Sequence, residues 1–280
     1  MTSDGPTAAT DDDQRAKVAE FHRLHRSGTF VMPNPWDAGS AVVLEQLGFP
    51  ALASTSAGAA WTVGRPDNGL TLEVALDHLR SLTAAVGVPV NADFEGGYAV
   101  DPGGVHANVT LATGTGVAGL SIEDSSHDPD EPLTGFDLAV ERVAAARQAI
   151  DDSGTGVLLT ARSEGFVVGR PDLDETVRRL QAFAEAGADC LYAPRITTVE
   201  EIATVIEAVA PKPVNLLINA PFITVAEAAE LGVRRISVGG TMARAAWGGW
   251  LEAAREVAED GTFTRFQDLP DVDGLLRGRD

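Results

Sequence analysis

Apolar runs of four to six residues recur along the chain, each closing in a polar or glycine-rich segment. Each is followed by a longer stretch whose Ala, Leu and Val positions repeat at helical spacing. The runs predict strands over residues 29–34, 51–54, 89–93, 118–123, 157–162, 190–193, 214–218 and 235–238. The amphipathic stretches predict helices over 14–27, 37–47, 72–86, 102–114, 136–153, 173–186, 199–210, 225–231 and 241–259. Strand and helix alternating in this way imply parallel strands with crossover helices. Thr71, Asp172 and Thr224 stand at N-cap positions, the last with Glu227 three residues on. Gly48, Gly87, Gly187 and Gly232 sit where helices should stop. Eight such units favour a closed (β/α)8 TIM-type barrel over an open doubly wound sheet, and no Gly-x-Gly-x-x-Gly turn follows the first strand.

A barrel of this kind needs roughly 250 residues, so the 280 residues here suit one domain. The polar, acidic start reads as a disordered leader over 1–12, the barrel with its last helix as 13–263, and 264–280 as a tail. A formal charge of −20 offers no basic face to a phosphate backbone, which makes nucleic acid and anionic membranes poor partners. No apolar run reaches the ~18 residues of a membrane span. The single cysteine, Cys190, lies inside an apolar run, which excludes an internal disulfide and a thiolate zinc site and fits a reducing cytoplasm.

Barrel chemistry sits at the C-terminal ends of the strands. There, strand alternation puts Asp93 and Glu95 on one side, with Glu123 ending the neighbouring strand. Three converging carboxylates repel one another unless a hard cation joins them, and Mg²⁺, with Mn²⁺ as the alternative ion, suits oxygen ligands. Arg162 closes an apolar strand at the same mouth, where it either grips a substrate carboxylate bidentately or pairs with Glu123 or Glu164. Ser54, Thr55 and Ser56 offer hydroxyls and amides to an oxyanion, or simply cap a strand end, and Asn219 follows the seventh strand. His22, His25, His78 and His106 read as surface residues, leaving His127 as the catalytic histidine candidate. No Gly-x-Ser-x-Gly elbow supports serine hydrolysis.

Five blocks carry a resemblance: Asn34-Pro35-Trp36-Asp37-Ala38; Ser54-Thr55-Ser56 with Gly64-Arg65-Pro66-Asp67; Ala92-Asp93-Phe94-Glu95-Gly96-Gly97-Tyr98; Gly119-Leu120-Ser121-Ile122-Glu123-Asp124; and Thr160-Ala161-Arg162-Ser163-Glu164. In this order, over residues 21 to about 263, the chain resembles the isocitrate lyase and phosphoenolpyruvate mutase superfamily. The resemblance implies a barrel that swaps its last helix within a homodimer or homotetramer and binds Mg²⁺ with a small anionic 2-oxo acid or its enolate. It makes Asp93 and Glu95 the metal-site acids, Glu123 the carboxylate on metal-bound water, Ser54 to Ser56 the carboxylate-binding turn, Asp67 the acidic loop residue and Arg162 the substrate arginine. Trp247, Trp250 and the apolar face of 241–259 become candidate swap contacts, which gel filtration at monomer size would contradict. Two departures matter. Glu95 stands where Asp is usual, and the loop Ser125-Ser126-His127-Asp128-Pro129-Asp130-Glu131-Pro132 lacks both the proton-donating cysteine of the carbon–carbon lyases and the lysine and asparagine of the phosphonomutases. The expectation is a lyase acting through an enolate on a small 2-oxo or 2-hydroxy diacid, with an oxaloacetate-type carboxy-lyase favoured. Cleavage of a substituted malate or 2-methylisocitrate, or mutase activity, is the alternative, and a non-catalytic scaffold stands behind both.

Overall fold

The apolar runs pair side by side as parallel strands in a computed structural model that describes residues 11–126 and 128–278. They are β1 (Phe30–Val31), β2 (Leu52–Ala53), β3 (Val90–Asp93), β4 (Gly119–Glu123), β5 (Leu158–Arg162), β6 (Cys190–Tyr192), β7 (Val214–Leu217) and β8 (Arg235–Ser237), ordered β1-β8-β7-β6-β5-β4-β3-β2. The seam between the first and last members is stitched by Ala53 N donating to Pro33 O at 3.0 Å. Asn34 reinforces it, donating from Nδ2 to Ser54 O at 2.9 Å and accepting at Oδ1 from Val238 N and Gly239 N. The chain is thus a TIM-type β/α barrel.

Around it run α1 (Asp11–Leu24), α2 (Ala38–Gln46), α3 (Ser56–Thr62), α4 (Leu72–Ala85), α5 (Pro102–Thr113), α6 (Phe136–Ser153), α7 (Leu173–Glu185), α8 (Val199–Val209), α9 (Val225–Glu230), α10 (Thr241–Glu259) and α11 (Val272–Arg277). Asp172 accepts from Glu175 N at 2.9 Å, and Thr224 with Glu227 forms a capping box, as their positions predict. Gly187 ends the segment after α7 at φ +105°, where an added Cβ would meet Arg147 Cγ at 2.6 Å. A helix stop and a close approach are both met by glycine there.

Three expectations change. Helix α1 begins at Asp11, so residues 11 and 12 belong to it and not to the leader, whose residues 1–10 lie outside the described ones. The tail holds structure of its own, a 3-10 turn (Thr264–Phe266) and α11, which packs on α2. Helix α3, capped by Thr55, follows β2 where only a turn was expected.

Helix α1 closes the N-terminal end of the barrel. Its Phe21 is fully buried and packs on Gly119, the first residue of β4, where a Cβ would meet Phe21 Cε1 at 2.5 Å. His25, read from sequence as a surface residue, is instead buried, because its ring completes this plug edge-on to Phe21 and Phe30. Nδ1 lies 2.7 Å from Phe21 O and Nε2 3.3 Å from Arg235 Nη1. Arginine only donates, so Nε2 must accept and the ring is the neutral Nδ1–H tautomer. Burial, then the Arg235 charge, push the His25 pKa down to about 3. A depressed histidine binds its proton only when unfolded, so its stabilisation is present above pH ~6.5 and lost as pH falls toward 3. His25→Gln is expected to remove this term. In urea titrations the wild type should lose about 2 kcal/mol more than the variant between pH 7 and pH 5; equal losses would refute the assignment.

Among the described residues no helix is long and apolar enough to cross a membrane. Helix α10 nevertheless exposes Trp247, Trp250 and Leu251, the two indoles edge to face at 5.0 Å.

Candidate active site

The inward-facing side chains of the barrel are largely polar, and the strand register sets their order. Glu123 pairs with Arg162, Arg162 with Tyr192, Tyr192 with Asn215, and Asn215 with Arg235. One diagonal row therefore runs from the C-terminal rim at Glu123 to the start of β8. Above it opens a cavity of about 560 Å³, walled in part by Asp93, Glu123, Arg162, Glu164 and Tyr192. Ser54, Thr55, Ser56, Asp67 and Asn219 also border it.

At its centre one guanidinium meets three carboxylates. Arg162 Nη1 lies 2.6 Å from Asp93 Oδ1 and 3.1 Å from Glu123 Oε2, and Nε lies 2.9 Å from Glu164 Oε1. Its plane also lies 5.2 Å from the Tyr192 ring centre. Burial opposes the Arg162 charge, but Glu164, Glu123 and Asp93 outweigh it and hold the pKa well above its ordinary value. Arg162 thus pairs with both Glu123 and Glu164: Nε and Nη1 are committed to carboxylates, while Nη2 has no protein acceptor among the described residues.

Second contacts fix the carboxylates. Asp93 Oδ2 accepts from Ser56 N and Oγ, each at 3.0 Å, and Ser54 Oγ accepts from Asp93 N at 2.8 Å. Ser125 Oγ donates to Glu123 Oε1 at 2.5 Å. The Ser54 to Ser56 turn is therefore spent first on holding Asp93 and capping α3, with its outer surface on the cavity. Burial, followed by the Asp93 charge, raises the Asp67 pKa. Burial raises that of Tyr192 to about 12 against the pull of Arg162.

Glu95 departs from the expected geometry. The strand ends at Asp93, and Glu95 follows it in the left-handed region at φ +46°, buried and outside the cavity lining, where Oε1 has no hydrogen-bond partner. Among the described residues no three His, Cys, Asp or Glu side chains stand together in a metal-binding arrangement. Burial first, then the charges of Asp93 and Glu123, raise the Glu95 pKa to about 8. The catalytic candidate His127 lies outside the described residues.

Several supports escaped the sequence reading. Asp124 accepts from Glu164 N at 2.7 Å through Oδ1 and pairs through Oδ2 with Arg179 at 3.1 Å. Arg142 donates to Thr134 Oγ1 at 2.9 Å and to Gly96 O, bracing the turn after β3 from behind. The signal was available: Arg142 falls in the stripe of Ala139, Val143 and Ala146 on α6, and Arg179 beside Thr176, Leu180 and Phe183 on α7. A cation inside a buried helical stripe needs a buried acceptor.

Comparison with known proteins adds the family. The phosphoenolpyruvate phosphomutase model matches residues 21–258. The chain belongs to that family. A Burkholderia cenocepacia J2315 protein assigned only to the lyase/mutase class superposes with a TM-score of 0.92 at 45% identity, over 96% of this chain and 99% of that one. 2,3-Dimethylmalate lyase superposes with a TM-score of 0.83 at 29% identity, over 93% of this chain and 94% of its own. The uncharacterized protein Rv1998c of Mycobacterium tuberculosis is 32% identical over 247 residues, 88% of this chain and 91% of that protein. Relatives of this chain with assigned activities include lyases and mutases.

Proposed function

We propose that the chain is a divalent-metal-dependent lyase acting through an enolate on a small 2-oxo or 2-hydroxy diacid, most simply by decarboxylating an oxaloacetate-like substrate. The observation that carries this reading is the sharing of one Arg162 nitrogen by Asp93 and Glu123, within 2.6 and 3.1 Å. A point between two carboxylates already holds a positive charge, and Mg²⁺ is commonly bound by one or two carboxylates with water completing its shell. Asp93 and Glu123 would hold the ion, with the orphaned Oε1 of Glu95 behind them. Once bound, Mg²⁺ supplies Lewis acidity to a 2-oxo group.

The chain's own residues account for the rest. Arg162 Nη2 is free to donate to a substrate carboxylate, and its charge opposes the negative charge that builds as carbon dioxide leaves. Ser56, tied to Asp93, keeps that carboxylate oriented. Loss of carbon dioxide from a 2-oxo diacid leaves an enolate that needs one proton. The one cysteine cannot supply it: Cys190 is buried in β6, where burial raises its thiol pKa further. His127 and Glu131 remain the donors to be tested, with water as the third.

A second reading, cleavage of a substituted malate, draws on the likeness to 2,3-dimethylmalate lyase. Phosphoryl transfer is disfavoured by an acidic loop without lysine, and a non-catalytic scaffold leaves the aligned charges unexplained. The apolar face of α10 supports a homodimer or homotetramer. The test is a screen of 2-oxo and 2-hydroxy diacids with and without Mg²⁺, following carbon dioxide and 2-oxo acid products. Magnesium-dependent carbon dioxide release is expected; release of two organic acids without carbon dioxide would select the second reading, and no turnover of any diacid would remove both.

A further inference from the structure

Besides Arg162, three arginines border the cavity, and none forms an ion pair among the described residues. Two have other occupations. Arg235 is 2% exposed at the start of β8 and spends its donors on Asn215 Oδ1, Thr160 Oγ1 and His25 Nε2. Arg244 lies over the Trp61 ring at 4.7 Å. Arg195 alone makes no contact of this kind; it follows β6 by three residues and is exposed.

Its backbone makes that placement unusual. Arg195 has φ +69°, a left-handed conformation that glycine adopts freely and that strains an L-residue. Five non-glycine residues share positive φ among the described residues: Asn68, Glu95, Tyr98, Arg195 and Asp268. Asn68 and Arg195 border the cavity, and Glu95 and Tyr98 lie in the turn just after Asp93. Strain of this sort gathers where side-chain placement is worth its cost. Fully buried Ile196 anchors the chain immediately beyond, so the turn aims a guanidinium at the cavity mouth.

Charge gives the placement a use. The chain carries a net −20, and Asp67, Asp93, Glu123, Asp128 and Glu164 all border the same cavity. A substrate with two carboxylates would be repelled, and Arg162 already faces three acids. We propose that Arg195 binds the second carboxylate of the substrate, the one remote from Asp93 and Glu123, and so selects diacids over monoacids. This rests on the lyase reading above and deepens it, naming the dicarboxylate as the substrate class and Arg195 as its specificity residue.

Arg195→Gly tests it, because glycine suits φ +69° and should leave the melting temperature equal or higher. Calorimetric titration of the Mg²⁺-loaded protein would compare pyruvate, oxaloacetate analogues resistant to decarboxylation, and phosphonopyruvate. A charge-assisted pair is expected to weaken diacid binding by about tenfold to a hundredfold on substitution, with pyruvate unchanged. Arg195→Lys should recover part of the loss. Equal weakening of pyruvate and diacid, or undiminished diacid binding, would overturn the proposal while leaving the lyase reading intact. A loss confined to phosphonopyruvate would replace the carboxylate by a phosphonate. Failure of the wild type to bind any 2-oxo acid would remove the lyase reading and this inference together.

Discussion

Arg162→Met is expected to unfold at a much lower urea concentration than the wild type, with stability reduced by ~3–5 kcal/mol at pH 8, and to regain part of it as the pH is lowered. Methionine matches the stem of arginine but leaves Asp93, Glu123 and Glu164 without their shared cation, and uncompensated buried charge is among the costliest single defects. The pH dependence follows from sign. Even with Arg162 present, burial raises the Glu164 pKa, with Glu123 and Asp124 adding to the rise and Arg162 opposing it. A carboxyl with a raised folded pKa stabilises the fold fully below its unfolded value of ~4.3 and loses that contribution as pH rises through the folded value. Removing the cation raises these values further, so the gap between variant and wild type should narrow between pH 8 and pH 5. Urea midpoints at the two pH values, at constant m, measure it. A gap that widens at pH 5 would mean that Arg162 serves packing and not charge. Arg162→Lys should recover stability better than turnover, because an ammonium supplies charge but not the fork that meets three carboxylates at once.

Why so much of this centre could be read from sequence is a matter of period. Asn91 and Asp93, Ser121 and Glu123, Thr160 and Arg162 alternate with buried Ala92, Leu120, Ile122 and Ala161. A strand buried on both faces has no reason to alternate unless one face lines something polar. Register then brings Glu123 beside Arg162, which no local pattern specifies, although strand-end positions narrow the choice. Sequence period says less where the backbone leaves it. Alternation carried past the end of β3 puts Glu95 on the side of Asp93, but the strand stops at Asp93 and Glu95 already lies in the turn that Gly96 and Gly97 continue, at φ +46°. The same cause hid Arg195, since a left-handed arginine after a strand carries no sequence mark. His25 was misread for another reason: a histidine near a helix end looks solvent-exposed until the helix is known to plug a barrel. Helix α3 was lost because Ser54, Thr55 and Ser56 serve as strand end, cap and first helical turn within three residues.

Asp93→Asn should separate the ion-binding role from the structural one. The substitution keeps shape and removes charge. With one acceptor oxygen instead of two, asparagine cannot satisfy both Arg162 Nη1 and Ser56 N, a local cost of ~1–2 kcal/mol. Part of that is returned, because three acids around one guanidinium become two. Stability should therefore move little, whereas kcat/KM for the diacid that the wild type turns over should fall by ~10³-fold or more, the scale of removing one charge-stabilising group from a closed site. Mg²⁺ gives the second readout. For the wild type, Mg²⁺ with oxalate at a hundred times its dissociation constant should raise stability by ~2.7 kcal/mol, and Asp93→Asn should lose most of that rise. Arg162→Met should move the other way on this measure, because the competing internal cation has gone, while losing turnover as well. The pair thus predicts two variants alike in activity and opposite in Mg²⁺ response. If both lost the Mg²⁺ response, Arg162 would be a member of the ion site and not its competitor; if neither did, Asp93 would be bound to Arg162 for structure alone, and the metal-dependent reading would fall.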